Sequence, residues 1–164
     1  RPPRSTQGVS SAASDVYKRQ VQRLPKGLAL FSDVIPCLHE LQLRKIAVGL
    51  ITNMDESIQG RGDVDSLCRE LGIRQFLDVI VTSTSAGVAK PDPAIFDIGM
   101  EALGVNASHS VHIGDQLLSD VQGAERAGIV PVLLDRSNSY DGLVSCHRIT
   151  SLGSLIELIS IIEN

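Results

Sequence analysis

At 164 residues, 43% of them hydrophobic, the chain is long enough for one domain with a real core, and a formal net charge of −4 without a basic run argues against nucleic acid or an anionic membrane surface as the main partner. Aromatics make up 3% of the chain and Trp is absent, so stacking on bases is not its trade, and the longest apolar runs are strand-sized, far short of the roughly 18 residues of a membrane span. Cys37, Cys68 and Cys146 are odd in number, widely spaced and without a C-x-x-C, which fits reduced thiols serving as small core residues in a cytoplasmic protein.

Arg1 to Gln20 is rich in Ser, Arg and Pro and shows neither helix nor strand period; it has no apolar centre and so is not a signal peptide. Ser14-Asp15-Val16-Tyr17-Lys18-Arg19-Gln20 resembles translated library-adapter sequence. Residues 1–20 are therefore read as a non-native or disordered leader and residues 21–164 as the folding unit, with the native protein expected to begin upstream of Val21.

From Phe31 the pattern becomes regular. Ser32 is the expected cap of a helix carrying Val34, Ile35, Leu38, Leu41 and Leu43, with Pro36 tolerated in its first turn. Ile46 to Ile51 is an apolar run too short for a typical helix and reads as a buried parallel strand. A second helix is expected from Asp63 to Leu71 with Gly72 as its stop, then a strand at Val79 to Val81 and a loop from Thr82 to Lys90. Asp92-Pro93, a capping side chain followed by proline at the first helical position, starts a helix that runs to Leu103 and ends at Gly104. Strand Val111 to Ile113, helix Ser119 to Ala127, strand Val130 to Leu134 and a last helix from Leu152 to Ile162 capped by Ser151 complete the order. Strands alternating with helices at this spacing imply right-handed crossovers and an α/β fold, a Rossmann-like parallel sheet with helices on both faces. Its site belongs beyond the carboxyl ends of the strands.

Three strand exits carry suggestive chemistry. Thr52 and Asn53 offer a hydroxyl and an amide to a phosphoryl or carboxylate oxygen. Lys90, in Gly87-Val88-Ala89-Lys90-Pro91-Asp92-Pro93, sets a cation just before a helix start. Asp115, after the apolar Val111-His112-Ile113-Gly114, and Asp120 one turn later are spaced as α/β proteins space carboxylates around a hard divalent cation such as Mg²⁺. Taken singly, turn chemistry, a surface lysine and helix capping explain them as well; their force lies in one fold bringing all three exits to one edge. His39, His109, His112 and His147 show no metal-ligand spacing, and His112, inside an apolar strand, reads as a core or near-site residue.

Gly49-Leu50-Ile51-Thr52-Asn53, then Gly87 to Phe96, then Val111 to Asp120 resemble the second, third and fourth motifs of the haloacid dehalogenase-like (HAD-like) hydrolase superfamily, in the branch whose helical cap is inserted upstream of the second motif. The resemblance covers Leu30 to about Leu134 and implies a HAD-like core. It implies that Thr52 binds the transferring phosphoryl group with Asn53 beside it, and that Lys90 neutralises nucleophile and phosphate. Asp115 would ligate Mg²⁺, and Asp120 would support the metal or orient the lysine. The implied substrate is a small phosphorylated metabolite, cleaved through an aspartyl-phosphate.

The family's first motif, an apolar strand ending in D-x-D, is not found. Asp15 and Asp33 do not fit it, and Asp63-Val64-Asp65 follows loop sequence and reads as a helix start. The expectation is a C-terminal fragment of a phosphatase, itself inactive, whose incomplete sheet lacks the central nucleophile strand. The strands ending at Thr52 and Asp115 would then close on each other, recruit part of Val21 to Leu30, or leave a gap. The alternatives are a non-catalytic HAD-fold binding or regulatory module and, less favoured, a haloacid dehalogenase.

Overall fold

The computed structural model describes residues 29–53, 63–140 and 146–162. The leader at 1–20 lies outside them. Among the described residues there are five short strands and six α-helices. Helix α1 (Val34–Leu43) leads to β1 (Gly49–Thr52), α2 (Val64–Glu70), β2 (Val79–Thr82) and the single turn α3 (Ser83–Ala86). Helix α4 (Pro93–Leu103), β3 (Val111–Gly114), α5 (Gly123–Arg126), β4 (Val130–Leu134), β5 (His147–Ile149) and α6 (Leu155–Ile162) follow.

Among the described residues all strand pairings are parallel, as the alternation of strands and helices predicts. Strand β1 pairs with β2 with Gly49 opposite Val79, and β4 lies between β3 and β5, with Val111 opposite Val130 and Val132 opposite His147. These are two sheets, β1-β2 and β3-β4-β5. Among the described residues β1 and β3 do not pair, and a cavity of about 630 Å³ lies between them. Of the three expected responses to a missing central strand, closure of β1 on β3 is thus not the one adopted; Val21 to Leu28 lie outside the described residues.

The period-2 alternation of the strands sorts side chains between two helical layers. Val111 and Ile113 of β3 join Cys37 and Leu41 of α1, Val132, Ile149 and Leu155 in one core. On the other face Ile95 and Phe96 of α4, both fully buried, meet Val81, Ala124 and Ile129. A smaller cluster of Val64, Cys68 and Leu77 seats α2. Cys37 and Cys68 are free and buried, as small core residues should be.

The helix starts follow the capping chemistry in most places. Asp63 accepts from Ser66 N, so the Asp63-Val64-Asp65 triplet is a helix start. Asp92 accepts from Ala94 N ahead of Pro93, Gly104 ends α4 at φ +67°, and Ser151 accepts from Gly153 N. Ser32 is not the cap of α1: Asp33 occupies that position and its carboxylate is drawn away to Arg136, Ser151 and the Leu152 N–H. Strand β1 starts three residues later than the apolar run, because Asp78 holds Val48 through both its side chain and its backbone N–H. Two elements have no strong local signal. The turn α3 is set by a capping box between Thr82 and Ser85, and β5 adds to β4 from a stretch interrupted by His147 and Arg148.

Candidate active site

The carboxyl ends of β1 and β3 are joined by Lys90. Its ammonium donates to Asp120 Oδ1 at 2.6 Å and to the carbonyl of Ile51, the penultimate residue of β1, at 3.1 Å. The pair is largely withdrawn from water, with side-chain exposures of 13% for Lys90 and 5% for Asp120, so it is held by geometry as well as by charge. The Lys90–Pro91 peptide bond is cis.

Asn53 fixes the backbone of the same lysine. Lys90 N donates to Asn53 Oδ1 at 2.8 Å, and Asn53 Nδ2 donates to the Lys90 carbonyl at 3.0 Å. Both ends of the amide are therefore engaged. The hydroxyl of Thr52 donates to the Asn53 carbonyl at 3.3 Å, a long contact that a stronger acceptor would replace.

Asp120 is saturated. Besides Lys90, His112 Nε2 lies 3.3 Å from Oδ1, and Gln116 N donates to Oδ2 at 3.0 Å. Burial pushes this carboxyl group up, but the hydrogen bonds from His112, Lys90 and Gln116 and the charge of Lys90 outweigh it and hold Asp120 well below the usual carboxylate range. His112 faces Phe96 edge-on with ring centroids 4.9 Å apart, which fixes the imidazole against the buried face of α4. His112 is thus the near-site histidine its place in an apolar strand suggests, out of phase with Val111 and Ile113 and so on the same side of β3 as Phe96.

The helix expected from Ser119 to Ala127 begins instead as a π-helical turn, Leu117–Gln122, before α5. Gln116 O accepts from both Asp120 N and Val121 N, a widened turn that lets the Asp120 carboxylate fold back over the end of β3. Gly114 makes room for it, since any Cβ at that position would overlap the Asp120 carboxyl group.

Asp115, immediately beyond β3, is exposed, and among the described residues its carboxylate makes no hydrogen bond or ion pair. The four sequence positions Asn53, Lys90, Asp115 and Asp120 thus come to one edge with Thr52, but in different roles. Asn53, Lys90 and Asp120 form a closed network, whereas Asp115 remains open. No group of three His, Cys, Asp or Glu side chains suited to a metal is present among the described residues. Asp115 fits a hard cation as one oxygen ligand; Asp120, with both oxygens engaged, fits as the anchor of Lys90.

The family model described as haloacid dehalogenase-like hydrolase matches residues 5–128. The chain belongs to this family. Its relatives include a ribulose-1,5-bisphosphate 5-phosphatase from Halopiger xanaduensis, 30% identical over 143 residues that cover 81% of this chain and 58% of that protein. A glyceraldehyde 3-phosphate phosphatase from Methanopyrus kandleri is 37% identical over 111 residues, 68% of this chain and 46% of that protein. Among solved structures, a HAD phosphatase from Thermococcus onnurineus superposes with a TM-score of 0.74 at 27% identity, covering 87% of this chain and 64% of that one. A 2-haloacid dehalogenase from Pseudomonas syringae gives 0.68 at 27% identity, with 82% and 55% covered. This HAD-like chain spans about half the length of the curated relatives it matches. No helix among the described residues is long and apolar enough to cross a membrane.

Proposed function

We propose that this chain is the phosphate- and metal-handling part of a Mg²⁺-dependent phosphatase acting on a small phosphorylated metabolite, and that on its own it does not turn over. The observation that carries the reading is Lys90, its ammonium held by Asp120 and the Ile51 carbonyl and its backbone by Asn53, at the edge where Thr52 ends β1 and Asp115 follows β3. The phosphatase names of several relatives support the choice of reaction.

Phosphoryl transfer is chiefly a matter of positioning and of stabilising negative charge. Lys90 supplies a cation whose backbone is clamped by Asn53 and whose ammonium is tethered to Asp120 and the Ile51 carbonyl. Asp120 keeps that ammonium aimed, and His112 keeps Asp120 in place. The Thr52 hydroxyl, held only by a long contact, turns to a phosphoryl oxygen. Mg²⁺, when bound, would neutralise phosphate charge, and Asp115 would hold it as one oxygen ligand. The nucleophile of the aspartyl-phosphate route belongs to sequence outside the matched motifs, which is why the isolated chain is inactive.

Calorimetric titration of the chain with Mg²⁺, alongside an aryl phosphate assay, tests this. Expected are weak Mg²⁺ binding that falls by about tenfold or more in Asp115→Asn, and no turnover in either protein. Equal affinity in the two proteins would remove Asp115 as the ligand. Mg²⁺-dependent hydrolysis lost in both Asp115→Asn and Lys90→Ala would show that the chain carries its own nucleophile, with Asp33 and Asp63 the first to replace.

A further inference from the structure

Behind the Lys90–Asp120 pair stands a second layer of packed groups. His112 lies within β3, opposite Pro131 of β4, and its side chain is only 13% exposed, so water does not readily take its place. Its Nε2 approaches Asp120 Oδ1, the oxygen that also receives the Lys90 ammonium, and its ring meets Phe96 edge-on. Phe96 is fully buried and backed by Gly123 at the start of α5. A Cβ at Gly123 would lie 2.8 Å from Phe96 Cε2, 2.9 Å from Cζ and 3.1 Å from Pro91 Cα, so the ring behind His112 has no room to retreat.

We propose that His112 is a positioning residue of the phosphate-handling lysine: seated on Phe96 and Gly123, it donates its Nε2 proton to Asp120 and so fixes the carboxylate that tethers Lys90. The place of the proton follows from the partner. Asp120 is held ionised and can only accept, and an Nε2 without a proton would set lone pair against lone pair at 3.3 Å away from water. The need for the contact follows from leverage. Gln116 N pins Oδ2, which leaves the carboxylate free to swing about that point unless Oδ1 is held by something stiff. Lys90 reaches Oδ1 on a flexible four-carbon stem, whereas the imidazole is packed on a strand. Without the histidine, Lys90 and Asp120 would move together.

This rests on the phosphatase reading only for what Lys90 then does, since the positioning needs neither Mg²⁺ nor phosphate. The competing role for a buried imidazole is to fill space, and the two roles order the substitutions oppositely. Phenylalanine fills the volume and keeps an aromatic contact with Phe96 but donates nothing. Glutamine packs less well but carries an amide N–H that can reach the same oxygen.

The test is NMR of the full chain, labelled with nitrogen-15 in histidine and lysine, in metal-free buffer at about neutral pH. The Lys90 and His112 signals are assigned by their loss in Lys90→Arg and His112→Phe. Expected in the unmodified chain is a proton on His112 Nε2. Exchange of the Lys90 Nζ protons should quicken about tenfold in His112→Phe and return to within about threefold in His112→Gln. Gly123→Ala should shift the His112 ring signals and quicken Lys90, with no added effect once His112 is already phenylalanine. An Nε2 without its proton in the unmodified chain would overturn the proposal whether or not the variants fold. So would Lys90 exchange unchanged in His112→Phe, or as fast in His112→Gln as in His112→Phe. A Gly123→Ala effect that persists in the His112→Phe background would run through Pro91 and overturn the seat on Phe96. Inorganic phosphate with Mg²⁺, added last, separates the two readings. A Lys90 Nζ signal that does not respond would remove the phosphatase reading and leave His112 its role; a signal that responds while the variants exchange alike would do the opposite.

Discussion

Asn53 grips Lys90 by its backbone and leaves the ammonium to Asp120: the amide spans the Lys90 N–H and C=O at 2.8 and 3.0 Å. Its side chain is thus used up in positioning a neighbour. Asn53→Ala should leave two part-buried backbone groups without their partner, at a cost of about 1–3 kcal/mol. It should also speed exchange of the Lys90 amide relative to that of β3. Urea unfolding and hydrogen exchange measure the two effects, and an unchanged Lys90 amide would refute the clamp.

The Lys90–Asp120 pair is shielded from water, so its two halves should not be separable. Lys90→Met strands a buried carboxylate held only by His112 and Gln116, and the expected loss is about 3 kcal/mol. Asp120→Asn should cost less, and the double variant less than the sum of the singles. A double-mutant cycle in urea with a coupling near zero would show the pair to be incidental.

Gly114 is required by the carboxylate that folds over it. Gly114→Ala should shift Asp120 and the π-helical turn, destabilising the chain by about 1–3 kcal/mol. The His112 ring resonances, fixed against Phe96 and Asp120, should move with it. A variant with unchanged stability and unchanged His112 shifts would mean that the turn has room to spare.

Asp33 ties the start of α1 to the chain beyond β4. Arg136 binds both its oxygens, Ser151 and Leu152 N donate to it as well, and the Arg136 guanidinium lies over Phe31. The hydrogen bond from Arg136 is the largest influence. Burial opposes it, and with the bonds from Ser151 and Leu152 it lowers the carboxyl from 3.8 to about 2. A lowered carboxyl stabilises the fold above its unfolded value and loses that contribution as pH falls through the folded one. Stability should therefore decline between about pH 4 and pH 2. Asp33→Asn should be less stable at pH 6 and show a shallower acid limb; an identical acid limb would place the acid sensitivity elsewhere.

The sequence alone determined where most helices and strands lie, because caps, stops and apolar runs are local signals. Asp92-Pro93 and Gly104 bracket α4, and Val130–Leu134 is the strand its apolar run predicts. Local pattern also picked out the residues of the edge, since strand exits are readable once the alternation is known. What it could not supply is who meets whom. Asp115 and Asp120 look alike as a spaced acidic pair, yet one is open to solvent and the other buried under a lysine thirty positions away. That division depends on the widened turn after Gln116 and on the bare Cα of Gly114, which are consequences of packing. Strand β5 likewise exists because β4 offers it an edge, its own residues being too polar to announce it. The open space between β1 and β3 is the furthest from local reading, since the pairing of one strand is decided by which other strands are there to accept its hydrogen bonds.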